Sequence, residues 1–182
     1  MKELWKDIPR YEGLYQASSL GNIRSLDRII TKKNRWGGYT RELRKGRCLK
    51  PVKTNGDYIR VTLVDRNNSR KLIRVHCLIA LTFIGNRPVN NVVRHLDGNP
   101  KNNNIYNLAY GTKRDNVIDM YRYGSKNGVL TIPQVLEIRE LLRSKIETHI
   151  IAETFSVSVS QIQAIKNNKC FQWLREDGSI NG

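Results

Sequence analysis

The stretch Val92-Val93-Arg94-His95-Leu96-Asp97-Gly98-Asn99-Pro100-Lys101-Asn102-Asn103-Asn104-Ile105-Tyr106-Asn107-Leu108-Ala109-Tyr110-Gly111-Thr112 decides how the middle of this chain folds. Two short apolar runs, Val92-Val93 and Leu108-Ala109-Tyr110, have the composition of strands. The segment from His95 to Asn104 between them is a long turn-forming loop. It is rich in Asn, opens its turn with Asp97-Gly98 and is stiffened by Pro100. Thr112 is then placed to N-cap a helix that runs to about Tyr123, with Gly124 to close it. The order strand, loop, strand, helix is a ββα unit.

Immediately upstream, Tyr58–Val64 alternates, Asp65–Ser69 supplies a turn and Lys71–Val75 returns, which predicts a hairpin. A short helix is expected from His76 to Phe83, with Leu78, Ile79 and Phe83 on one side and Gly85-Asn86-Arg87-Pro88 ending it. Residues 1–26 read as a small β unit: strands at Tyr15–Ser18 and Ile23–Leu26, a turn at Ser19-Leu20-Gly21-Asn22, and Trp5, Ile8, Tyr11, Leu14 and Tyr15 as its core. Residues 28–50 carry Arg28, Lys32, Lys33, Arg35, Arg41, Arg44, Lys45, Arg47 and Lys50 against the single acid Glu42, interleaved with Trp36 and Tyr39. No clean period holds there, so the segment reads as an extended basic arm that tracks phosphates, or as a solvated loop.

Downstream, Thr131 caps a helix with Pro133 in its first turn and Val135, Ile138 and Leu142 on one face. A second helix is expected over Thr148–Phe155 and a third over Ser158–Lys166, with a capping box at Ser158 and Gln161. Ile162 and Ile165 face inward, which leaves Ser160, Gln161, Gln163, Lys166 and Asn167 exposed. The shape is that of a helix-turn-helix, the alternative being a generic three-helix bundle. The whole is an α+β, modular chain: a small antiparallel β unit with its arm (1–50), a central ββα domain (51–127) and a C-terminal helix-turn-helix (128–182).

Charge points to a polyanion partner: 32 Lys and Arg against 16 Asp and Glu give +16 over 182 residues. Residues 129–182 hold as many acids as bases, so the whole excess lies in residues 1–128. Cys48, Cys77 and Cys170 are too few and too far apart for a disulfide framework or a Cys-x-x-Cys zinc knuckle, which suits a reducing cytoplasm. The N-terminus lacks the apolar run of a signal peptide, and no apolar stretch approaches the roughly 20 residues of a membrane span.

Of the three histidines, His76 and His149 lie in patterned, apolar surroundings, and His76 reads as packed or hydrogen-bonded rather than catalytic. His95 alone sits where a strand enters the Asn-rich loop. Hydrolysing a phosphodiester needs a base for water, a cation beside the phosphate and rigid placement of both. Histidine suits the first role near neutral pH, and amide or carboxylate oxygens suit a hard divalent ion in the second.

The run Val92-Val93-Arg94-His95-Leu96-Asp97-Gly98-Asn99, with Asn102-Asn103, Asn107-Leu108, Gly111-Thr112 and Asn116, resembles the HNH motif of phage and intron homing endonucleases over about residues 71–125. Trp5-Lys6-Asp7-Ile8, Tyr11–Tyr15 and Gly21-Asn22-Ile23-Arg24-Ser25 are similar to the N-terminal DNA-binding motif common in these enzymes. The resemblance implies a ββα-metal fold in which His95 is the general base, Asn107 fixes the loop and holds the histidine in line, and Asn116 binds Mg²⁺ or Mn²⁺. Many relatives carry Asp or Asn before the base as a second ligand, where this chain has Arg94. Arginine cannot ligate a cation, but it can clamp the scissile phosphate. Asp97 and Asp119 are further candidate ligands, Asp119 one turn beyond Asn116 on the same helix face.

The expected activity is site-specific cleavage of double-stranded DNA by a monomer that nicks one strand, in the host cytoplasm if the gene is phage-borne. Arg28, Lys32, Lys33, Arg35, Arg41, Arg44, Lys45 and Arg47 would hold the backbone, and Ser160, Gln161, Gln163 and Lys166 would read bases. A non-catalytic DNA-binding regulator and an RNA-associated basic protein are the rival readings.

Overall fold

The computed structural model describes residues 2–52, 57–123 and 130–180. The chain divides into two compact units, residues 1–113 and 114–182.

The first unit holds nine strands in four antiparallel groups. β1 (Trp5–Asp7), β2 (Tyr15–Ser18) and β3 (Ile23–Ser25) form a three-stranded sheet in that order. β2 and β3 are the strands expected. β1 follows an apolar–polar pattern too short to read, and is held by its register of Trp5 opposite Ser18. Ile8, Tyr11, Tyr15, Ala17 and Ile23 are buried beneath this sheet. Trp5 is not part of that core: it lies at the surface edge with the Arg24 guanidinium 4.2 Å from its ring centroid.

Residues 28–44 correct the expectation of an extended arm. They form a hairpin, β4 (Arg28–Lys33) and β5 (Tyr39–Arg44), paired from Arg28 opposite Arg44 to Lys33 opposite Tyr39. The Asn34 side chain closes its turn by accepting from the Trp36 and Gly38 amides. Every residue of β5 is exposed, and in β4 only Arg28 and Ile30 are half-buried, so little of the ribbon imposes an alternating pattern on the sequence.

β6 (Arg60–Val64) and β7 (Arg70–Arg74) make the predicted hairpin, with Asp65 accepting from the Asn67 and Ser69 amides across its turn. Val61 and Leu63 point inward and are buried. α1 (Val75–Phe83) follows directly and buries Val75, Leu78, Ile79 and Ala80. Val61, Leu63, Val75, Leu78 and Ile79 share one core with Ile8, Tyr11, Tyr15 and Leu108, so the N-terminal sheet, the β6–β7 hairpin and α1 stabilise each other through the same apolar cluster. The last pair, β8 (Val92–His95) and β9 (Leu108–Gly111), runs antiparallel with His95 opposite Leu108. α2 (Lys113–Tyr123) follows β9 after one residue, completing the order ββα. The proposed stop at Gly124 lies outside the described residues.

The second unit packs α2's Tyr121 edge-on to Phe171, 4.8 Å between ring centroids, with Trp173 completing the cluster. α3 (Ile132–Arg143) starts on a true capping box, Thr131 with Gln134. α4 (Thr148–Thr154) and α5 (Val159–Lys166) are joined by a short turn, in helix-turn-helix order. At Ser158 only the serine half of the expected box forms, its hydroxyl accepting from the Gln161 amide. Ile138, Ile151 and Ile162 are completely buried between the three helices. Arg139 ties the C-terminal segment down by donating to the Phe171 and Leu174 carbonyls.

Candidate active site

His95 ends β8 with 8% of its surface exposed. Its Nε2 lies 3.3 Å from Asn103 Oδ1. The Asn103 amide nitrogen faces the Lys101 carbonyl, 3.4 Å away, which fixes the orientation of the amide and turns its oxygen to the histidine. An amide oxygen only accepts, so Nε2 carries the proton and Nδ1 is left as the basic atom. Burial holds the His95 pKa below the usual histidine value, against the opposing effects of the Asn103 hydrogen bond and the Asp97 charge. The imidazole is therefore neutral at physiological pH.

Asn107 locks the loop. Its Oδ1 accepts from the Asp97 amide at 2.9 Å, and its Nδ2 donates to Asp97 Oδ1 at 2.8 Å and to the Asn102 carbonyl at 2.9 Å. Asp97 Oδ1 also accepts from the Asn99 amide, and Oδ2 accepts from Asn102 Nδ2 at 2.7 Å. Burial opposes ionisation of Asp97, but these hydrogen bonds outweigh it and hold its carboxyl below the ordinary range. Asn107 thus spans the loop with three hydrogen bonds, while the residue in hydrogen-bond contact with His95 is Asn103. Asp97 uses both carboxylate oxygens inside the loop.

The N-terminal sheet braces the same loop, a connection with no local signal in the sequence. Ile105 donates its amide to the Ser19 carbonyl. Gly21, at φ +92°, leaves no room for a side chain: a Cβ there would lie 2.9 Å from the backbone of Asn103. The two glycine properties, positive φ and close approach, are both used at one position.

His76, at the start of α1, is buried and stands edge-on to His95 with ring centroids 5.0 Å apart. Tyr58 contacts both rings, 5.0 Å from His76 and 6.1 Å from His95. Burial, then the neighbouring His95 and Arg74 charges, lowers the His76 pKa to about 4, so it packs as a neutral ring. That agrees with the structural role read for it. His149 is exposed beside Glu147.

Arg94 sits within β8 opposite Ala109. Asn116 and Asp119 lie one turn apart on α2; Asn116 is half-buried, and Asp119 is 5% exposed with Arg122 3.7 Å away. Among the described residues no group of three or more His, Cys, Asp or Glu side chains is placed to hold a metal ion. The hard oxygens of Asn116 and Asp119 suit Mg²⁺, which keeps several waters. Of the base-reading candidates on α5, Ser160, Gln163 and Lys166 are exposed; Gln161, expected to be so, is half-buried.

A histidine at the end of one strand, an amide-locked loop, a returning strand and a following helix define the ββα class of nuclease fold. Residues 3–64 match the NUMOD4 motif and residues 74–118 match the HNH endonuclease family. The chain is 32% identical over 98 residues to the DNA endonuclease I-HmuI of Bacillus phage SP01, covering 54% of this chain and 46% of that protein. It is 31% identical over 103 residues to an uncharacterized HNH endonuclease, L247, of Acanthamoeba polyphaga mimivirus, covering 53% of this chain and 21% of that one. The matched region is thus less than half the length of either relative. A solved structure described as DNA binding and cleavage by the HNH homing endonuclease I-HmuI shares the fold, with a TM-score of 0.51 and 24% identity over 88% of each chain. The chain thus joins a NUMOD4 motif to an HNH endonuclease segment, the combination on which its likeness to the HNH homing endonucleases rests.

Proposed function

We propose that the protein is a metal-dependent DNA endonuclease of the homing type that nicks one strand of a duplex as a monomer, with His95 as general base. The observation that carries this reading is the placement of His95 at the end of β8 with Nε2 3.3 Å from Asn103 Oδ1, at the start of a loop tied together by Asn107, Asp97 and Asn102. His95 Nδ1 takes a proton from water as the water oxygen bonds to phosphorus. The bond from phosphorus to the 3′ oxygen breaks, and that oxygen takes its proton from solvent. The ends left are 5′-phosphate and 3′-hydroxyl. Arg94 contacts the phosphate under attack. A Mg²⁺ or Mn²⁺ ion held by Asn116, with Asp119 beside it, would supply charge stabilisation at the phosphate oxygens. Asp97, engaged by three amide donors, serves the loop rather than the cation.

The basic hairpin β4–β5, with Arg28, Lys32, Lys33, Arg35, Arg41 and Arg44, and the following Lys45 and Arg47 supply backbone affinity. Ser160, Gln163 and Lys166 on α5 read base edges, with Gln161 supporting them. In this reading residues 1–50 bind, 51–127 cut and 128–182 read, with the first two stretches sharing one apolar core. No helix among the described residues is long and apolar enough to cross a membrane.

The test is conversion of supercoiled plasmid with Mg²⁺, without it, and with His95→Ala plus Mg²⁺. Metal-dependent nicking that vanishes in the variant establishes the reading. A second reading, a non-catalytic DNA-binding regulator, is favoured by Arg94 and by the engagement of Asp97. Tight duplex binding with no nicking in either Mg²⁺ or Mn²⁺ would select it.

A further inference from the structure

Two of the hairpins in the first unit place arginines directly opposite one another. Arg28 pairs with Arg44 on β4–β5, and Arg60 pairs with Arg74 on β6–β7. Like charges in register are unfavourable unless an anion is shared between them. In each pair one guanidinium also has a buried nitrogen with no hydrogen-bond partner among the described residues: Arg28 Nη1 and Arg60 Nε. A buried unpaired donor is costly, and a bound acceptor removes that cost.

At Arg28 these features meet in a cleft of about 380 Å³, lined also by Arg44 and by Arg66 and Arg70 from the turn end of β6–β7. Its single carboxylate, Asp65, accepts the Asn67 and Ser69 amides of its own turn. Arg28 is held in place against the Tyr15 ring, 5.5 Å from its centroid. Four arginines around a space of this size, one of them with an unmet donor, fit the oxygens of a phosphate group.

The outer face of β6–β7 runs from this cleft toward the catalytic histidine. Val64 and Arg70 lie at the cleft end, and Arg60 and Arg74 lie four residues away at the other. That is about 13 Å of strand, or roughly four nucleotides of duplex rise. Arg74 reaches over Tyr58, 5.0 Å from its centroid, and Tyr58 is in ring contact with His95.

We propose that the cleft between Arg28, Arg44, Arg66 and Arg70 seats one backbone phosphate of the bound DNA, and that this phosphate is the register pin that sets which phosphodiester reaches His95. The pin rests on the nuclease reading above; the phosphate site does not. The proposal adds Arg66 and Arg70, which line the cleft but lie outside the basic segment 28–50, to the binding surface.

The first measurement follows the arginine Nε–H signals of the full chain by NMR while inorganic phosphate replaces chloride at constant ionic strength. Arg28 and Arg44 are expected to shift together and saturably, while exposed Arg35 drifts weakly, and Arg66→Gln should weaken the saturation about tenfold. Arg28 drifting as Arg35 does would overturn the site. The second measurement maps the nick at nucleotide resolution for the wild type, Arg28→Gln and Arg70→Gln; the latter does not disturb the stack on Tyr15. The expected result is one nick position in the wild type and a spread over neighbouring phosphodiesters in both variants. Saturable phosphate binding with an unmoved single nick in both variants would overturn the pin. A wild type that never nicks would overturn the nuclease reading and the pin together, and the NMR arm would still decide the phosphate site.

Discussion

Removing the Asn107 side chain tests whether the loop geometry is what makes His95 a base. Asn107→Ala deletes three hydrogen bonds of 2.8–2.9 Å, two of them to Asp97 and one to the Asn102 carbonyl. Each is worth about 1 kcal/mol net, and the half-exposed site argues for the lower part of that range, so the loop's closed state should lose about 2 kcal/mol. That is roughly a 30-fold rise in the population of the open loop. The Asp97 amide donates to Asn107 Oδ1, so its hydrogen exchange reports the change at the site itself. Exchange at Asp97 should accelerate about 30-fold, while amides of Val61 and Leu63 in the buried hairpin keep their protection. Asn107→Asp should be worse than Ala, because it replaces the donor facing Asp97 Oδ1 with a second carboxylate. Nicking should fall in the same order, Asn107, Ala, Asp. An Ala variant with native exchange at Asp97 and lost nicking would refute the reasoning, since Asn107 would then be acting on substrate and not on the loop.

Gly21→Ala should slow nicking by about tenfold or more without loss of DNA affinity, because the added Cβ meets Asn103 at 2.9 Å from a backbone already at positive φ; gel-shift and nicking assays on one preparation separate the two. Acid should destabilise the first unit through His76: its neutral form is the folded form, so stability is intact above pH 6.5. About 3 kcal/mol is then lost as pH falls from 6.5 to about 4. His76→Phe should flatten the Tm between pH 7 and pH 4.5, and an unchanged slope would show that another group titrates. Nicking should hold its plateau below the usual histidine range and fall only at more acid pH, since burial lowers the His95 pKa and catalysis needs the unprotonated ring. Replacing Ser160 and Gln163 together with Ala should reduce discrimination between DNA sequences while leaving random-duplex affinity near the wild-type value, as read by competition binding.

Much of this was legible in the residues because local chemistry and burial agree there. The β6–β7 hairpin shows Val61 and Leu63 alternating with outward residues, and its turn is written in Asp65–Ser69. The ββα order is fixed by an Asn-rich loop whose side chains replace missing backbone partners. Where one face is not buried, the pattern fails: β5 is exposed throughout, so a hairpin looked like an arm. Relations between distant segments were also hidden. The contact of Gly21 with Asn103 spans eighty-two positions, and nothing near either residue announces it. The turn at Gly21 is local and visible in Ser19-Leu20-Gly21-Asn22, but its second duty exists only once the sheet lies against the loop. The shared core of Ile8, Tyr15, Leu63 and Leu108 is of the same kind. In the loop itself the cluster of amides was visible, whereas the division of labour between Asn103 and Asn107 depends on which way each side chain turns.

The loop's reliance on amides has a physical reason that bears on its function. A carboxylate accepts hydrogen bonds only, and it repels phosphate; an amide both donates and accepts, and carries no charge. Asn107 uses this twice over, accepting from the Asp97 amide while donating to its carboxylate. Asn102 and Asn107 face the two oxygens of Asp97, so the one negative charge of the loop is covered by donors before DNA arrives. The hydrogen bonds that cover it also keep it ionised, so the lock does not loosen as a free carboxylate would when the pH falls toward its ordinary pKa. A loop built this way keeps its shape over the whole range in which His95 is neutral, and the exposed acid beside that histidine meets DNA with its carboxylate oxygens already engaged by donors. Substituting Asp97 by Asn tests the point: one carboxylate oxygen becomes a donor facing donors, and the loop should open as it does in Asn107→Asp, although the net charge moves in favour of DNA. Tighter DNA binding combined with slower nicking in Asp97→Asn would show that Asp97 is there for geometry, and faster nicking would show that its charge was the greater cost.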